Sequence, residues 1–273
     1  MTYSTLMVHL ELGRSNAVIL QAAVDFARRF DSEVIGIAGC QMQVYYAEGD
    51  GGGDVEQEQK EIDEEIKVAE GEFRAALSSK IEHIGWRCTS ALGPVTEFLA
   101  LEARAADLVL TGVARGDAFD SSRAVNPGDL VLRVGRPVLI VPLAARELRL
   151  DHVLVGWRDT RESRRAIADA LPLLKQSVRV TLGTIAPEED LGLAREGLAD
   201  VARWLARHGV AAEQVVSPTI GDDANALWAL AQDLGADLVV AGAYGHSRLR
   251  EWVLGGVTKN LLLSKDRYSL VSH

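Results

Sequence analysis

A stretch of nineteen residues near the C-terminus, Gly242 to Asn260 (GAYGHSRLREWVLGGVTKN), combines glycine spacing with basic and hydroxyl side chains. Its glycines fall as G-x2-G-x9-G-G, at Gly242, Gly245, Gly255 and Gly256. Glycine permits a positive φ in a tight turn and lets the backbone come close to a ligand. An apolar strand-like run precedes the stretch, and Gly255, Gly256, Val257 and Thr258 stand where the next helix begins. The first N–H groups of a helix have no internal partner and lie at its positive end, so a phosphate placed there accepts their hydrogen bonds. Arg248, Arg250 and Lys259 either add positive charge or are solvated. His246 and Ser247 adjoin, but no third residue orients them, so they read as loop residues and not as a catalytic pair. The anion-binding set in this stretch is therefore Gly242, Gly245, His246, Ser247, Arg248, Gly255, Gly256, Val257 and Thr258.

The rest of the chain supplies the elements that position such a loop. Short apolar runs alternate with amphipathic segments. Leu6–Leu10, Glu33–Ala38, Trp86–Ser90, Asp107–Gly112 and Arg136–Pro142 read as strands. Between them, Ile19, Ala22, Ala23, Phe26 and Phe30 mark one helix, and Ile62, Ile66, Ala69, Phe73 and Leu77 mark a longer one rich in Glu and Lys. That charge run reads as a solvated helix face. Residues 43–54, with Gly51, Gly52 and Gly53, read as a loop, and Pro94 opens a third helix. The order then begins again, with strands at Val153–Trp157, Val178–Ile185, Gln214–Ser217, Asp237–Gly242 and Tyr268–Val271. Helices fall at Ile167–Leu174, Leu191–His208 and Ala224–Leu234, and one more follows Gly255. Pro172 kinks or shortens the first of these, and Asp159 and Glu162 have the spacing of its capping box.

The repetition is visible residue by residue: Ala106–Gly112 (ADLVLTG) matches Ala236–Gly242 (ADLVVAG). The expected architecture is α/β, two tandem doubly wound parallel-sheet domains of Rossmann-like type, divided as 1–147 and 148–273 across the charged joint at 143–151. Such sheets bind ligands beyond the carboxyl ends of their strands, at the switch point. The last strand of each half is a natural pairing edge, so the halves pair within the chain; a homodimer stays open.

Composition narrows the functions. The chain is 48% hydrophobic and 25% charged, an ordinary globular balance. A net charge of −10 and a pI near 5.1 oppose binding to a nucleic-acid backbone or an anionic membrane. Cys40 and Cys88 form no metal-ligand pattern and read as small buried hydrophobes, and the histidines have no metal spacing. No basic segment followed by an apolar run opens the chain, and no stretch reaches the length of a membrane span. The expected location is cytoplasmic.

On the glycine spacing and the repeated strand order, the sequence resembles the universal stress protein family in its tandem form. The nucleotide-binding members of that family carry G-x2-G-x9-G-(S/T) after the fourth strand, matched here by Gly242, Gly245 and Gly255. Gly256 takes the Ser/Thr place, which removes a hydroxyl and keeps the backbone donors. The resemblance implies ATP or a related adenine nucleotide, with or without magnesium, in the second half. It places an acid after the first strand, near the adenosine. Gly156-Trp157-Arg158-Asp159 is the matching stretch, with Arg158 in the acid's place and Asp159 either substituting or capping the helix. Trp157 either lines a base pocket or packs in the core, and Ile185 matches the position where the family's backbone meets adenine or is plain packing. In the first half the glycines run Gly112, Gly116 and Gly128, and Asp129 stands in the Ser/Thr place. A carboxylate there takes the anion position and repels phosphate.

Three functions follow for test. The first is a stress-response regulatory module that binds an adenine nucleotide in its second half. The second is an interaction protein without nucleotide. The third is a slow ATPase: no general base and no G-x-x-x-x-G-K-[ST] loop suits a faster enzyme.

Overall fold

The Asp of each repeated Ala-Asp-Leu segment does the same work in both halves. In the computed structural model, Asp107 Oδ2 accepts the backbone N–H groups of Ser4 and Thr5 at 2.9 and 3.0 Å. Asp237 Oδ2 accepts that of His152 at 2.9 Å. Each acid thus ties the start of the fourth strand of its half to the start of the first. The structure describes residues 2–42, 52–91, 93–113, 122–145, 147–219, 223–243 and 267–273.

Residues Tyr3–Arg136 form one compact unit and Pro137–His273 the body of a second. In the first lie β1 (Thr5–His9), α1 (Ala17–Phe30), β2 (Glu33–Gln41), α2 (Gly52–Leu77), β3 (Ile84–Ala91), α3 (Val95–Glu102), β4 (Leu108–Gly112) and α4 (Pro127–Val134). The strands pair in parallel as β3-β2-β1-β4, with Val8 beside both Gly36 and Leu110. β1, β2 and β4 are apolar and buried almost throughout, as expected of strands covered on both faces. Tyr3, Phe26 and Phe30 cluster at ring-centroid distances of 4.7 to 5.5 Å, and Phe73 packs on Trp86 at 5.6 Å. Helix α2 begins at Gly52, so the end of the predicted 43–54 loop is helical. Cys40 is buried as expected, whereas Cys88 on β3 is exposed.

The second unit holds β5 (Val138–Val141), β6 (His152–Gly156), α5 (Arg161–Asp169), α6 (Leu171–Leu174), β7 (Arg179–Ala186), α7 (Leu191–Arg207), β8 (Glu213–Pro218), α8 (Asp223–Asp233), β9 (Leu238–Gly242) and β10 (Tyr268–Ser272). Its strand order is β5-β10-β9-β6-β7-β8, parallel except where β5 meets β10 antiparallel. The compact units therefore meet at Arg136/Pro137, eleven residues before the division read from the charged joint, because β5 is a strand of the second unit. Pro172 does break its helix: α5 ends before Ala170, and the short α6 starts at Leu171 with the proline in its first turn. His152 is a structural residue. Its Nδ1–H donates to the Leu234 carbonyl at 2.9 Å, and Nε2 accepts from the Thr181 hydroxyl at 2.8 Å.

Candidate functional site

In the second unit the chain runs from β6 outward through β7 to β8, then returns to place β9 on the other side of β6. The switch point is the seam between β6 and β9, where an open α/β sheet leaves a crevice beyond its carboxyl ends. Register sets Gly156 and Gly242 at this seam, and Ile185 lies on the next strand, β7. Gly156 ends β6 between Gly183 of β7 and Ala241 of β9, and Gly242 is the next residue of β9. Trp157, half-buried, continues from β6 and is clipped to β7: its N–H donates to the Gly183 carbonyl at 2.7 Å, and its carbonyl accepts the Thr184 hydroxyl at 2.8 Å. Ile185, also half-buried, lies one residue beyond Thr184 and pairs with Ser217 on β8.

Two glycines assigned to ligand approach turn out to have packing reasons of their own. A Cβ on Gly242 would lie 2.5 Å from the backbone carbon of Glu162, 2.5 Å from the backbone nitrogen of Ser163 and 2.8 Å from Glu162 Cβ. The first turn of α5 rests directly on the end of β9. A Cβ on Gly156 would meet Leu227 Cδ2 of α8 at 2.8 Å. Successive positions on a strand face opposite ways, and Gly156 is level with Ala241, so α8 and α5 cover opposite faces of the sheet. Gly245, His246, Ser247, Arg248, Gly255, Gly256, Val257 and Thr258 lie outside the described residues, as does the helix expected after Gly255.

The turn from β6 into α5 corrects the capping assignment. Thr160 is the N-cap, with an extended backbone and its hydroxyl oxygen accepting the Ser163 N–H at 3.3 Å. Asp159 is exposed, and its carboxylate takes the Arg164 guanidinium at 2.5 Å. The hydroxyl sits one residue closer to the helix, at the position whose side chain reaches the N3 amide. Arg158 is exposed; its N–H points to Ser163 Oγ at 3.4 Å, and its carbonyl accepts the Thr160 N–H at 2.7 Å. Glu162 is buried, with 4% of its surface exposed. Burial pushes its carboxyl pKa upward, but hydrogen bonds from Arg161, its own backbone N–H and the Thr160 hydroxyl outweigh that and hold it below the ordinary value.

The corresponding place in the first unit is built differently. His9 falls beside Thr111 as Gly156 falls beside Ala241, which puts Glu11 in the position of Arg158. His9 Nδ1 lies 3.1 Å from the Thr111 hydroxyl, Nε2 has no hydrogen-bond partner among the described residues, and burial lowers the imidazole pKa to about 4. The amides that open α4 are already occupied: Asn126 Oδ1 accepts the N–H groups of Gly128 and Asp129 at 2.9 and 3.3 Å. Asn126, not Asp129, takes the anion position. The Asp129 carboxylate turns outward instead, 3.6 Å from Arg133. Asn before Pro, at the start of a helix pattern, is the signal in the sequence that announces this cap.

Charge is unevenly shared. Residues 1–136 carry 22 acidic and 13 basic side chains, whereas 137–273 carry 17 and 16. Among the described residues no group of His, Cys, Asp and Glu is arranged to hold a metal, and no helix is long and apolar enough to cross a membrane.

Comparison with solved structures shows the fold along the whole chain. A universal stress protein from Archaeoglobus fulgidus DSM 4304 is 13% identical, with a TM-score of 0.79 over 100% of this chain and 99% of its own. One from Pseudomonas aeruginosa UCBPP-PA14 is 16% identical, with a TM-score of 0.63 over 99% and 93%. The cytoplasmic domain of a prokaryotic cation chloride cotransporter, at 13% identity and a TM-score of 0.55 over 98% and 95%, has the same kind of fold, so fold alone does not fix function. No curated protein matches the chain. Residues 173–264 match the model of the universal stress protein family, and the chain therefore carries a universal stress protein domain in its second half, within a fold that solved universal stress proteins share along its whole length.

Proposed function

We propose that this chain is a stress-response regulatory module whose second domain, 148–273, binds an adenine nucleotide, ATP foremost, while its first domain, 1–147, is a copy that takes none. The contrast between the two switch points supports the reading. In the first, the helix amides are capped by Asn126 in a unit with a large acidic excess. In the second, the strand that ends at Gly242 leads into G-x2-G-x9-G-G in a half close to neutrality. Gly156, Trp157, Arg158, Asp159 and Ile185 form the β6 and β7 side of this site, and Gly245 to Arg248 with Gly255 to Thr258 form its phosphate side. Magnesium, if it accompanies the nucleotide, is held by the phosphates. Turnover is slow or absent, and the site is cytoplasmic.

Calorimetric titration of ligand-stripped protein with Mg-ATP, ADP and AMP tests the proposal. Saturation near one nucleotide per chain, lost in Gly255→Arg, supports it. Absence of both heat and thermal stabilisation refutes it. Gly242→Arg is a poor probe, since Gly242 packs on the α5 backbone whether or not it meets a ligand. That same packing favours a second reading, in which the strand-end glycines serve the fold alone and the chain works by binding proteins. Wild-type protein that ignores all three nucleotides would select it.

A further inference from the structure

At the carboxyl end of the first unit's sheet the chain crosses over its own strands. The amides of a parallel strand face its two neighbours in turn. On β2, the Glu33 N–H donates to the Ser4 carbonyl on the β1 side at 2.9 Å, and the Val34 N–H donates to the His83 carbonyl on the β3 side at 3.1 Å. Gln41, eight residues after Glu33, therefore faces the β1 side, where β1 has already ended at His9. Its N–H donates instead to the Ser122 carbonyl at 2.7 Å. Ser122, itself buried, thus lies beyond the end of β1, at the β1/β4 switch point of this unit. The next residue is held from α2. Arg123 Nε donates to Glu65 Oε2 at 2.9 Å, and Oε1 of the same carboxylate lies 3.2 Å from where a Cβ on Gly13, in the β1–α1 turn, would stand. The helices α2 and α3 cover opposite faces of the sheet. A Cβ on Gly36 would meet Phe73 of α2 at 2.8 Å, one on Gly39 would meet Val95 of α3 at 3.4 Å, and positions three apart on a strand face opposite ways. Helix α4 packs beside α3. Between Arg123, bound to α2, and Asn126, the cap of α4, the backbone therefore passes from one face of the sheet to the other over the strand ends.

We propose that residues Ser122 to Asn126 are a strap that closes the first unit's switch point, with the Arg123–Glu65 pair as its latch. An open α/β sheet takes ligands at this place; here the chain's own backbone lies across it. The strap deepens the reading that the first domain takes no nucleotide, and its geometry stands without that reading. It also makes the closure releasable. Both members of the latch are partly exposed, and an ion pair of that kind contributes little and is screened by salt. The strap therefore lifts by local opening, at far less cost than unfolding the unit.

The test is amide hydrogen exchange of the full chain without nucleotide. It follows the Gln41 N–H, which the strap accepts, against the Val34 N–H at the other end of the same strand. In Glu65→Gln the Gln41 amide exchanges about two- to fivefold faster while Val34 keeps its wild-type rate, the scale of one partly exposed ion pair. Arg123→Gln gives the same acceleration from the other partner and serves alone should Glu65→Gln fail to fold. The two changes together add nothing further, because they remove one interaction. Raising sodium chloride from about 0.05 M to about 1 M speeds Gln41 exchange in wild-type protein and leaves the single variants unmoved. A Gln41 rate equal to wild type in both single variants overturns the proposal, as does a Val34 rate that rises in step with Gln41. Nucleotide binding by the second domain does not enter these rates, so that reading can fail while the strap stands, and the strap can fail while that reading stands.

Discussion

Gly242→Ala adds a single methyl group at the point where β9 meets α5. The new carbon would lie 2.5 Å from the Glu162 carbonyl carbon and the Ser163 nitrogen, well inside contact distance, and both are backbone atoms of a helical turn. No rotamer change relieves that overlap, so α5 must move or β9 must bend. Overpacking of this kind costs about 1–3 kcal/mol where side chains can adjust, and backbone neighbours place this site at about 3 kcal/mol or above. Gly156→Ala is the natural control. Its Cβ meets the tip of Leu227 at 2.8 Å, and a leucine tip can swing aside, so the cost should be about 1 kcal/mol. Gly71→Ala, on α2 with nothing within 4 Å, should stabilise its own unit by about 0.5–1 kcal/mol through helix propensity. Urea unfolding monitored by circular dichroism, with amide exchange to separate the two units, gives all three values. The predicted order is Gly242→Ala worst, Gly156→Ala intermediate, Gly71→Ala better than wild type. A Gly242→Ala protein no less stable than Gly156→Ala would refute the claim that α5 backbone rests on Gly242.

Other perturbations address single groups. His9 is buried as neutral imidazole with a folded-state pKa of about 4 against 6.5 when exposed. The unfolded chain then binds the extra proton first, so stability falls as pH drops from 6.5 to 4, by up to about 3 kcal/mol, and flattens below. In His9→Leu the pH dependence of unfolding over this interval should shrink accordingly. Asp107→Ala leaves two strand-start N–H groups without their acceptor and Asp237→Ala leaves one; the first should cost about 2–3 kcal/mol and the second about half as much, by denaturant titration. Asn126→Ala uncaps α4 and should lower stability by about 1 kcal/mol without opening the first unit to nucleotide, as calorimetry would show.

Much of the fold was legible because its signals are local. Most strands of the two parallel arrays, β1, β2, β4, β6 and β9 among them, are apolar runs too short for a helix. Pro172 announces its own break, and ADLVLTG against ADLVVAG declares the repeat. What was not legible depends on contacts between segments far apart in the chain. That Gly242 is needed by α5 follows from Glu162, eighty residues earlier. That Asp107 and Asp237 recur because each holds the start of a first strand follows from pairings 85 residues apart or more. The helix cap fell on Thr160 and not on Asp159 because both residue types favour that position, and only the backbone path chooses between them. Gly52 lies inside α2 although three consecutive glycines suggest a loop, since the apolar positions beyond them bind the helix to its sheet. That Gly156 and Ile185 stand at the ends of neighbouring strands was legible from the alignment. The burial of Glu162 was not, because nothing in Arg-Glu-Ser distinguishes a solvated glutamate from an enclosed one.

The antiparallel pairing of β5 with β10 bears on how this protein can be cut. Val138 lies beside Val271, Leu139 beside Leu270 and Ile140 beside Ser269, so the strand that caps the β10 edge is encoded before the charged joint and not after it. A fragment beginning at residue 148 would leave the backbone donors and acceptors on that side of β10 unsatisfied, on a strand that is buried along its length in the intact chain. Two such fragments can satisfy each other by placing β10 against β10, which favours a dimer or an aggregate. A fragment that starts before Pro137 keeps β5 on that side of β10. The gene of a tandem protein can thus be divided at a place where the folded molecule cannot.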